Sequence, residues 1–245
     1  TMSLAEINTT LATVATDGGG TVAFRNGVYS FAGDLVVPSN VGIIGESFGG
    51  TILSFTGNYG INGSGTLVYN TGTVSATKGS NAIVGSGTSW VANLTVGDEI
   101  LIDGFYYEIA SIVDDTNLTI TRPYPYASIS GTSYVVANPT SSITITDFFI
   151  TNTTPLAGYG IKLEYNKFSF LRRNAMVVVG EAYILKDCSI VGLNDTGINL
   201  CDIGFDMDNA GSVAIQEVSG DCSTANFDLQ DCKRCYISDV GAYSA

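Results

Sequence analysis

The sequence predicts an all-β protein in which most of the chain winds in one direction as a coil of short parallel strands. Two features of its composition support this class. Charged residues form 13% of the chain and hydrophobic residues 45%, a balance typical of a folded protein with a substantial core. Twenty-nine glycines, with frequent Thr, Ser and Asn between aliphatic runs, indicate many short strands joined by tight turns.

The first fifteen residues are the exception, because they predict a short amphipathic helix. Ser3-Leu4-Ala5-Glu6 has the form of a capping box, in which the Ser3 hydroxyl and the Glu6 carboxylate each accept from the other residue's amide. Apolar residues follow at helical spacing: Leu4, Ile7, Leu11 and Val14. Three glycines after Asp17 end the helix. A lone short helix needs an apolar surface, and we expect it to cover an open end of the coil.

Residues 18–47 contain four short β-prone runs, TVAF, VYSF, LVV and VGII. Asn26-Gly27 suits a hairpin turn, but the other breaks between these runs do not. Runs this short suit the sides of a coil whose successive turns stack in parallel. Because parallel neighbours lie about 4.8 Å apart, we expect four residues to lie in or near one interior: Val22, Val28, Val36 and Ile43.

The second half of the sequence shows weak internal similarity, as further turns of such a coil would. An aliphatic-x-acid unit recurs with steps of 40, 30 and 22 residues, at Ile145/Asp147, Leu185/Asp187, Ile215/Glu217 and Ile237/Asp239. GIKL at 160–163 is echoed by GINL at 197–200. Chance similarity in a sequence of low complexity is the competing explanation, and we favour the coil.

A segment of different texture lies between the two halves. Turn signals at Asp103-Gly104 and at 114–117 separate three strands in EILIDGFYYEIASIVDDTNLTIT, which predicts an antiparallel meander. The single tryptophan, Trp90, is expected to fill the small core of this module. We therefore divide the chain into three parts: 1–71, the capping helix and first turns; 72–137, the inserted antiparallel module; and 138–245, the continuing turns.

Two segments near the N-terminus follow a family pattern. GGGTVAFRNGVYSF followed by LVVPSNVGIIGES matches that pattern at Gly20, Thr21, Val22, Gly27, Tyr29, Pro38, Ser39, Asn40, Val41 and Gly45. Over about residues 3–60 the chain resembles pectate-lyase-like right-handed parallel β-helices, among them many bacteriophage tail spikes and tail fibres. The inserted segment is similar to small β modules of phage tail proteins. The resemblance implies a right-handed single-stranded parallel β-helix that assembles as a homotrimer.

The charge balance and the lack of histidine exclude several function classes. A net charge of −13 argues against nucleic acid and against an anionic membrane as direct partners, since both need clustered Lys and Arg. The one local basic pair, Arg172–Arg173, is expected to be solvated. Without His the chain cannot form a Ser-His-Asp triad or a zinc site that contains His. We expect no cofactor and no bound metal.

All five cysteines lie in the last third of the chain: Cys188, Cys201, Cys222, Cys232 and Cys235. Cys232-Lys-Arg-Cys235 has the C-x-x-C spacing that occurs in zinc and redox sites. No second pair of ligands with matching spacing accompanies it, and no βαβ pattern surrounds it. We favour packing cysteines, because a free Cys behaves as a small hydrophobic residue. This usage fits a protein that folds in a reducing cell.

The segment NDTGINLCDIGFDMDNAG contains the best acidic cluster, formed by Asp195, Asp202, Asp206 and Asp208. Strand alternation places Asp206 and Asp208 on one face, so they are the candidate catalytic pair for cleavage of a sugar bond. Asp-x-Asp-x-x-Gly also offers hard oxygen ligands for calcium, but it lacks the downstream Glu of an EF-hand. In a protein this acidic we favour a solvated surface over either site.

The segment RPYPYASISGTSY concentrates three tyrosines around two prolines. Tyr124 and Tyr126 are the candidate residues for binding a sugar, because exposed aromatic rings beside polar groups suit such contacts. The interpretation we favour is that this loop packs against the coil where the insert rejoins it.

The leading function from the sequence is a non-enzymatic virion component. It would be a rigid tail-fibre, tail-spike or decoration domain that is assembled in the host cytoplasm, contacts other virion proteins and contributes to host-surface attachment. The first alternative is an enzyme that degrades host-surface polysaccharide, either a lyase or a glycoside hydrolase. The second is an extracellular adhesin. The final strand-like segment, CYISDVGAYSA, leaves a solenoid end open, which predicts further protein or a partner there.

Overall fold

The computed structural model describes residues 2–242. Within this range the side chains at positions 190, 195, 199, 200, 202, 221, 226, 239, 240 and 242 lie outside the described part. The chain forms two compact units. The first unit is built from the chain up to Ser64 and the chain from Thr140 onward, and the second unit is Gly65–Pro139.

Strands account for most of the elements in every part of the chain. The first part contains α1 (Leu4–Thr16), β1 (Gly20–Phe24), β2 (Gly27–Phe31), β3 (Leu35–Val36), β4 (Val41–Gly45), β5 (Thr51–Phe55) and β6 (Ile61–Asn62). The second unit contains β7 (Thr66–Tyr69), β8 (Thr73–Ala76), β9 (Ala82–Ser86), α2 (Trp90–Asn93), β10 (Glu99–Ile102), β11 (Phe105–Ile112), β12 (Asn117–Ile120), β13 (Ile129–Thr132) and β14 (Tyr134–Asn138). The remainder contains β15 (Thr140–Ser141), β16 (Thr144–Thr146), β17 (Phe149–Asn152), β18 (Ala157–Arg172), β19 (Ala175–Val177), β20 (Val179–Asp208), β21 (Ala214–Gln230) and β22 (Tyr236–Ala242).

The strands of the first unit pair in parallel, one turn of the chain upon the next. β1 pairs with β4, β2 with β5 and β3 with β6. After the insert, β16 continues on β4 and β17 continues on β5. Ser141 N therefore donates to Ser39 Oγ at 3.1 Å although the two residues are 102 positions apart. The predicted winding is confirmed, and the fold is a parallel β-solenoid.

From β18 onward the turns settle into a 22-residue period. One inward column follows the ladder through Ile43, Ile145, Leu171, Leu193, Ile215 and Ile237. One corner repeats in the same way, because Tyr165, Asp187, Asn209 and Asp231 are each 22 residues apart and have φ between 46° and 51°. Left-handed backbone at these positions turns the chain from one flat side to the next. The corner lies within β18 at Tyr165 and within β20 at Asp187, and it directly follows β20 at Asn209 and β21 at Asp231.

The interior is filled by inward residues from successive turns. Tyr183 and Phe205 stack with ring centroids 5.0 Å apart, and Phe205 and Phe227 stack at 4.9 Å. Interplanar angles of 5° and 7° follow from the parallel register, which places equivalent side chains directly above one another. Helix α1 covers one end of this core through Ile7 and Leu11, as predicted. Its capping box is present, since Ser3 N donates to Glu6 Oε2 at 2.7 Å.

Two details of the sequence prediction were wrong. Val28 and Val36 are 61% and 46% exposed, because Phe31 and Leu35 are the residues of β2 and β3 that face inward. The repeated units were also only partly in register. Ile145, Ile215 and Ile237 share a column, but Leu185 stacks on Leu163 in another side of the coil. GIKL and GINL likewise occupy different columns, since 160–163 is aligned with 182–185 and 197–199 with 175–177.

The second unit is an antiparallel sheet in the order β13-β8-β9-β12-β11-β10-β14-β7. The predicted hairpin at Asp103-Gly104 is present, with φ of 51° and 80° and with Ile102 paired to Phe105. Trp90 is fully buried in the core of this unit, and its Nε1 donates to Tyr134 Oη at 2.9 Å. The unit begins before residue 72 because β7 pairs with β14.

Arg172 and Arg173 have different environments. Arg173 donates from Nε to Asp147 Oδ1 at 2.5 Å and from Nη2 to Oδ2 at 2.7 Å, across adjacent turns of the coil. Asp147 is buried, and Arg172 is exposed. Arg172 is solvated as expected, whereas Arg173, with 42% of its side chain exposed, also pairs with Asp147. This bidentate pair satisfies a carboxylate that burial would otherwise penalise.

We expect Arg173→Gln to lower the free energy of unfolding by about 1–3 kcal/mol, because it leaves the Asp147 carboxylate buried without its guanidinium partner. Arg172→Gln is the matched control, and we expect it to stay within about 0.5 kcal/mol of the wild type, as exposed substitutions do. Urea denaturation followed by circular dichroism measures both. Equal losses in the two variants would contradict the assignment of the ion pair.

Candidate functional site

Two neighbouring columns of mainly polar side chains face outward on the side of the coil built from β18, β20 and β21. The ladder register and the 22-residue period place Lys162, Ile184, Asp206 and Asp228 in one column, and Glu164, Lys186, Asp208 and Gln230 in the other. We call Lys162, Glu164, Lys186, Asp206, Asp208 and Asp228 the charged face. The side chains that alternate with it, such as Tyr183 and Phe205, point into the core.

Ion pairs organise the charged face. Lys186 Nζ lies 2.8 Å from Asp206 Oδ2, and Lys162 Nζ lies 3.7 Å from Glu164 Oε2. The hydrogen bond to Asp206 is the main reason that the pKa of Lys186 is raised, with the charges of Glu181 and Glu164 adding to it. The Asp206 side chain is only 12% exposed, and its carboxylate is paired with the Lys186 ammonium group.

Asp187 lies at the corner beside the charged face and was not among the candidates from the sequence. Burial raises the pKa of this carboxyl, and the negative charges of Asp208 and Glu164 raise it further. Asn209 Nδ2 donates to Asp187 Oδ1 at 2.7 Å and opposes these effects. A carboxyl that holds its proton more strongly, beside other carboxylates, is the pattern of an acid and base pair. The repeated aliphatic-x-acid unit contained this residue but did not show what surrounds it.

Asp206 and Asp208 lie two residues apart on β20, where one strand face places their Cα atoms about 6.6 Å apart. Asp206 accepts a charged hydrogen bond from Lys186, so one of its carboxylate oxygens is already occupied by an ion pair. The two residues therefore remain a hypothesis as a catalytic pair. The side chains of Asp195 and Asp202 lie outside the described residues.

Tyr124 and Tyr126 both belong to the second unit. Tyr124 is fully buried, and its hydroxyl donates to Asp103 Oδ2 at 3.3 Å. Tyr126 is partly buried, with its ring 4.9 Å from Phe105 and 5.8 Å from Tyr124. Tyr124 leaves no ring face open to a sugar in this structure, because it packs within the core of the insert. Tyr126 is the member of the pair that keeps some exposure.

The cysteines divide by burial. Cys188 and Cys201 are fully buried, as packing cysteines should be, and burial is the main cause that raises the pKa of Cys188. Cys222, Cys232 and Cys235 are partly exposed.

Among the described side chains no group of three His, Cys, Asp or Glu residues is arranged to hold a metal ion. No helix within residues 2–242 has the length and apolar character needed to cross a membrane.

Comparison with known proteins finds solved structures that resemble this chain in fold. No protein-family model and no curated protein sequence matches this chain. The tailspike protein gp49 from Pseudomonas phage LKA1 matches 91% of the chain with a TM-score of 0.56 and 16% identity. The tailspike gp61 of Pseudomonas phage phi297 matches 96% with a TM-score of 0.53 and 12% identity. A putative glycosyl hydrolase from Parabacteroides merdae matches 98% with a TM-score of 0.58 and 12% identity.

These matches differ in how much of the other protein they cover. The chain spans 44% and 41% of the lengths of the two tailspikes and 89% of the putative glycosyl hydrolase. At such low identity the likeness is one of fold. The chain therefore has the parallel β-helix fold that is found in phage tailspikes.

Proposed function

We propose that this chain is the β-helical part of a bacteriophage tail spike or tail fibre, carried on the virion, with a structural role in attachment to the host surface. The observation that supports this proposal is the architecture over nearly the whole chain. A helix-capped parallel coil with an inserted antiparallel module matches two phage tailspikes over 91% and 96% of its length.

A structural role fits the physics of the coil. Each turn hydrogen-bonds along its length to the turns beside it, so bending the coil would strain many ladder bonds together. The stacked rings of Tyr183, Phe205 and Phe227 and the bidentate pair of Arg173 with Asp147 add contacts between successive turns. A rod built in this way suits a part that transmits contact from a particle to a surface.

We further propose that the chain assembles as a homotrimer through an aromatic flank formed by Phe168, Phe170 and Tyr236. These three side chains are 54%, 46% and 59% exposed. Phe170 and Tyr236 share an outward column with Gly192 and Ala214, and the Phe170 ring lies against Gly192, where a Cβ would be 3.1 Å from it. Exposed rings beside small residues form a surface that a neighbouring subunit can cover.

We predict that the purified chain has a mass in solution of about three times 25.6 kDa, measured by light scattering after size exclusion. Phe170→Ser combined with Tyr236→Ser should reduce it to the mass of one chain, because the rings that subunits bury are lost. Phe48→Ser removes a ring that is 55% exposed elsewhere and should leave the trimer intact. A monomeric wild-type chain would contradict the assembly proposal.

The second candidate function is a polysaccharide-degrading enzyme on the same coil. One observation favours it, which is the raised pKa of Asp187 beside Asp208. Glycoside hydrolysis uses one carboxylic acid as proton donor and a second carboxylate as base or nucleophile. In this arrangement Asp187 would be the acid and Asp208 the base or nucleophile, while Asp206 is paired with Lys186.

An assay on a panel of purified bacterial surface polysaccharides separates the two functions. The structural proposal predicts that the chain binds one of them and releases no more reducing ends or unsaturated uronates than the Asp187→Asn, Asp208→Asn double variant. Glu217→Gln, at an exposed corner, is the matched control for loss of a carboxylate. Cleavage by the wild type that falls at least 100-fold in the double variant and not in the control would replace the structural role with the enzymatic one.

A further inference from the structure

Cys232 and Cys235 lie together at one corner of the coil, after β21. The isolated bridge between Gly211 and Lys233 aligns this corner with the turn before it. Cys232 Sγ donates to Met207 O at 3.6 Å, and Cys235 Sγ donates to Ala210 O at 3.7 Å. The preceding turn thus holds both sulfur atoms, and the two thiols interact with each other.

The backbone around these cysteines brings them together. Asp231 and Arg234 have φ of 46° and 54°, so the chain folds sharply before and after Cys232. A disulfide requires Cα atoms roughly 4.4–6.8 Å apart and sulfur atoms that can approach each other. Two cysteines three residues apart at a folded corner, with thiols that interact, are the candidates for such a bond in this structure.

The environment of this pair differs from that of the buried cysteines. Cys188 has no exposed surface, and its Sγ donates to Leu163 O at 2.8 Å. Cys232 and Cys235 are partly exposed, and the residues between them, Lys233 and Arg234, are exposed. The contact with the Cys232 thiol lowers the pKa of Cys235 to about 7, whereas the same contact and burial raise the pKa of Cys232. Cys235 is therefore the thiol that more readily becomes a nucleophile.

We propose that Cys232 and Cys235 form a dithiol site that is reversibly oxidised to an intramolecular disulfide, with a low-molecular-weight disulfide as the oxidant. The inference depends on this corner alone and not on the proposed function. In a cysteine pair with one activated and one protonated thiol, the activated thiolate attacks the oxidant first. The second thiol then resolves the mixed disulfide.

The reaction balances in two steps. The Cys235 thiolate attacks one sulfur of the oxidant, which breaks the oxidant's S–S bond, forms a mixed disulfide and releases one thiolate. Cys232 then loses its proton to solvent and attacks the Cys235 sulfur, which forms the Cys232–Cys235 bond and releases the second thiolate. The protein gives up two electrons and two protons, and the oxidant is reduced to two thiols.

A second pair provides the competing outcome. Cys201 and Cys222 are partners in the ladder between β20 and β21. Cys201 is fully buried, so an oxidant in solution does not reach it without opening of the coil. The proposal therefore predicts that oxidation of the folded chain is confined to the corner pair.

The test incubates the intact folded chain with oxidised glutathione, removes the oxidant, and then unfolds the chain in denaturant to alkylate the remaining thiols for mass spectrometry. We expect the five alkylatable thiols to fall to three, with no glutathione retained. Trypsin cleaves after Lys233 and Arg234, so the new bond should join two peptides and should disappear on reduction. Cys232→Ser should retain one glutathione on Cys235, because the resolving thiol is absent.

Cys222→Ser is the matched control and should still lose two thiols, and circular dichroism of each variant checks that it is folded. Three results would overturn the proposal: five thiols that persist in the wild type, glutathione that persists on Cys235 with Cys232 present, or a bond that maps to Cys201 and Cys222. The rate of thiol loss should also reach half its maximum near pH 7. A half-maximum near pH 8.5, roughly the value of an ordinary thiol, would contradict the role of Cys235 as first nucleophile.

Discussion

The parallel register between successive turns is the constraint on which the rest of this structure depends. Because equivalent residues are stacked at intervals of 22 positions, each turn places its apolar side chains on those of the turn before it. The same register aligns the corner residues Tyr165, Asp187, Asn209 and Asp231 in left-handed backbone. Loss of the register would separate the core, the corners and the charged face together, since all three are columns of one ladder.

The sequence predicted the fold class because that class follows from local features. Short β-prone runs, frequent turn residues and a capped N-terminal helix are visible without knowledge of any distant contact. The 22-residue period was harder to find because the first turns differ in length and the insert separates β6 from β15. The inward residues of β2 and β3 were misassigned because valine alone does not show which face of a strand meets the core.

The candidate site was predicted only in part, for a similar reason. Asp206 and Asp208 were recognised because alternation along one strand needs no long-range information. The partner of Asp206 is Lys186, which the ladder brings close across one turn of the coil. The environment of Asp187 depends on Asn209, also one turn away. Tyr124 lies in a segment rich in Tyr and Pro, which suggested exposed rings, but the packing of the insert buries it.

Distances between turns test the parallel coil most directly. Arg172, Asn194, Gln216 and Ser238 form one outward column. Spin labels carried by non-canonical amino acids, which leave the native cysteines in place, can be paired between position 238 and each of the other three. The account predicts backbone separations of about 5, 10 and 14 Å for partners one, two and three turns away. Separations that do not increase stepwise with each 22 residues would contradict the parallel coil.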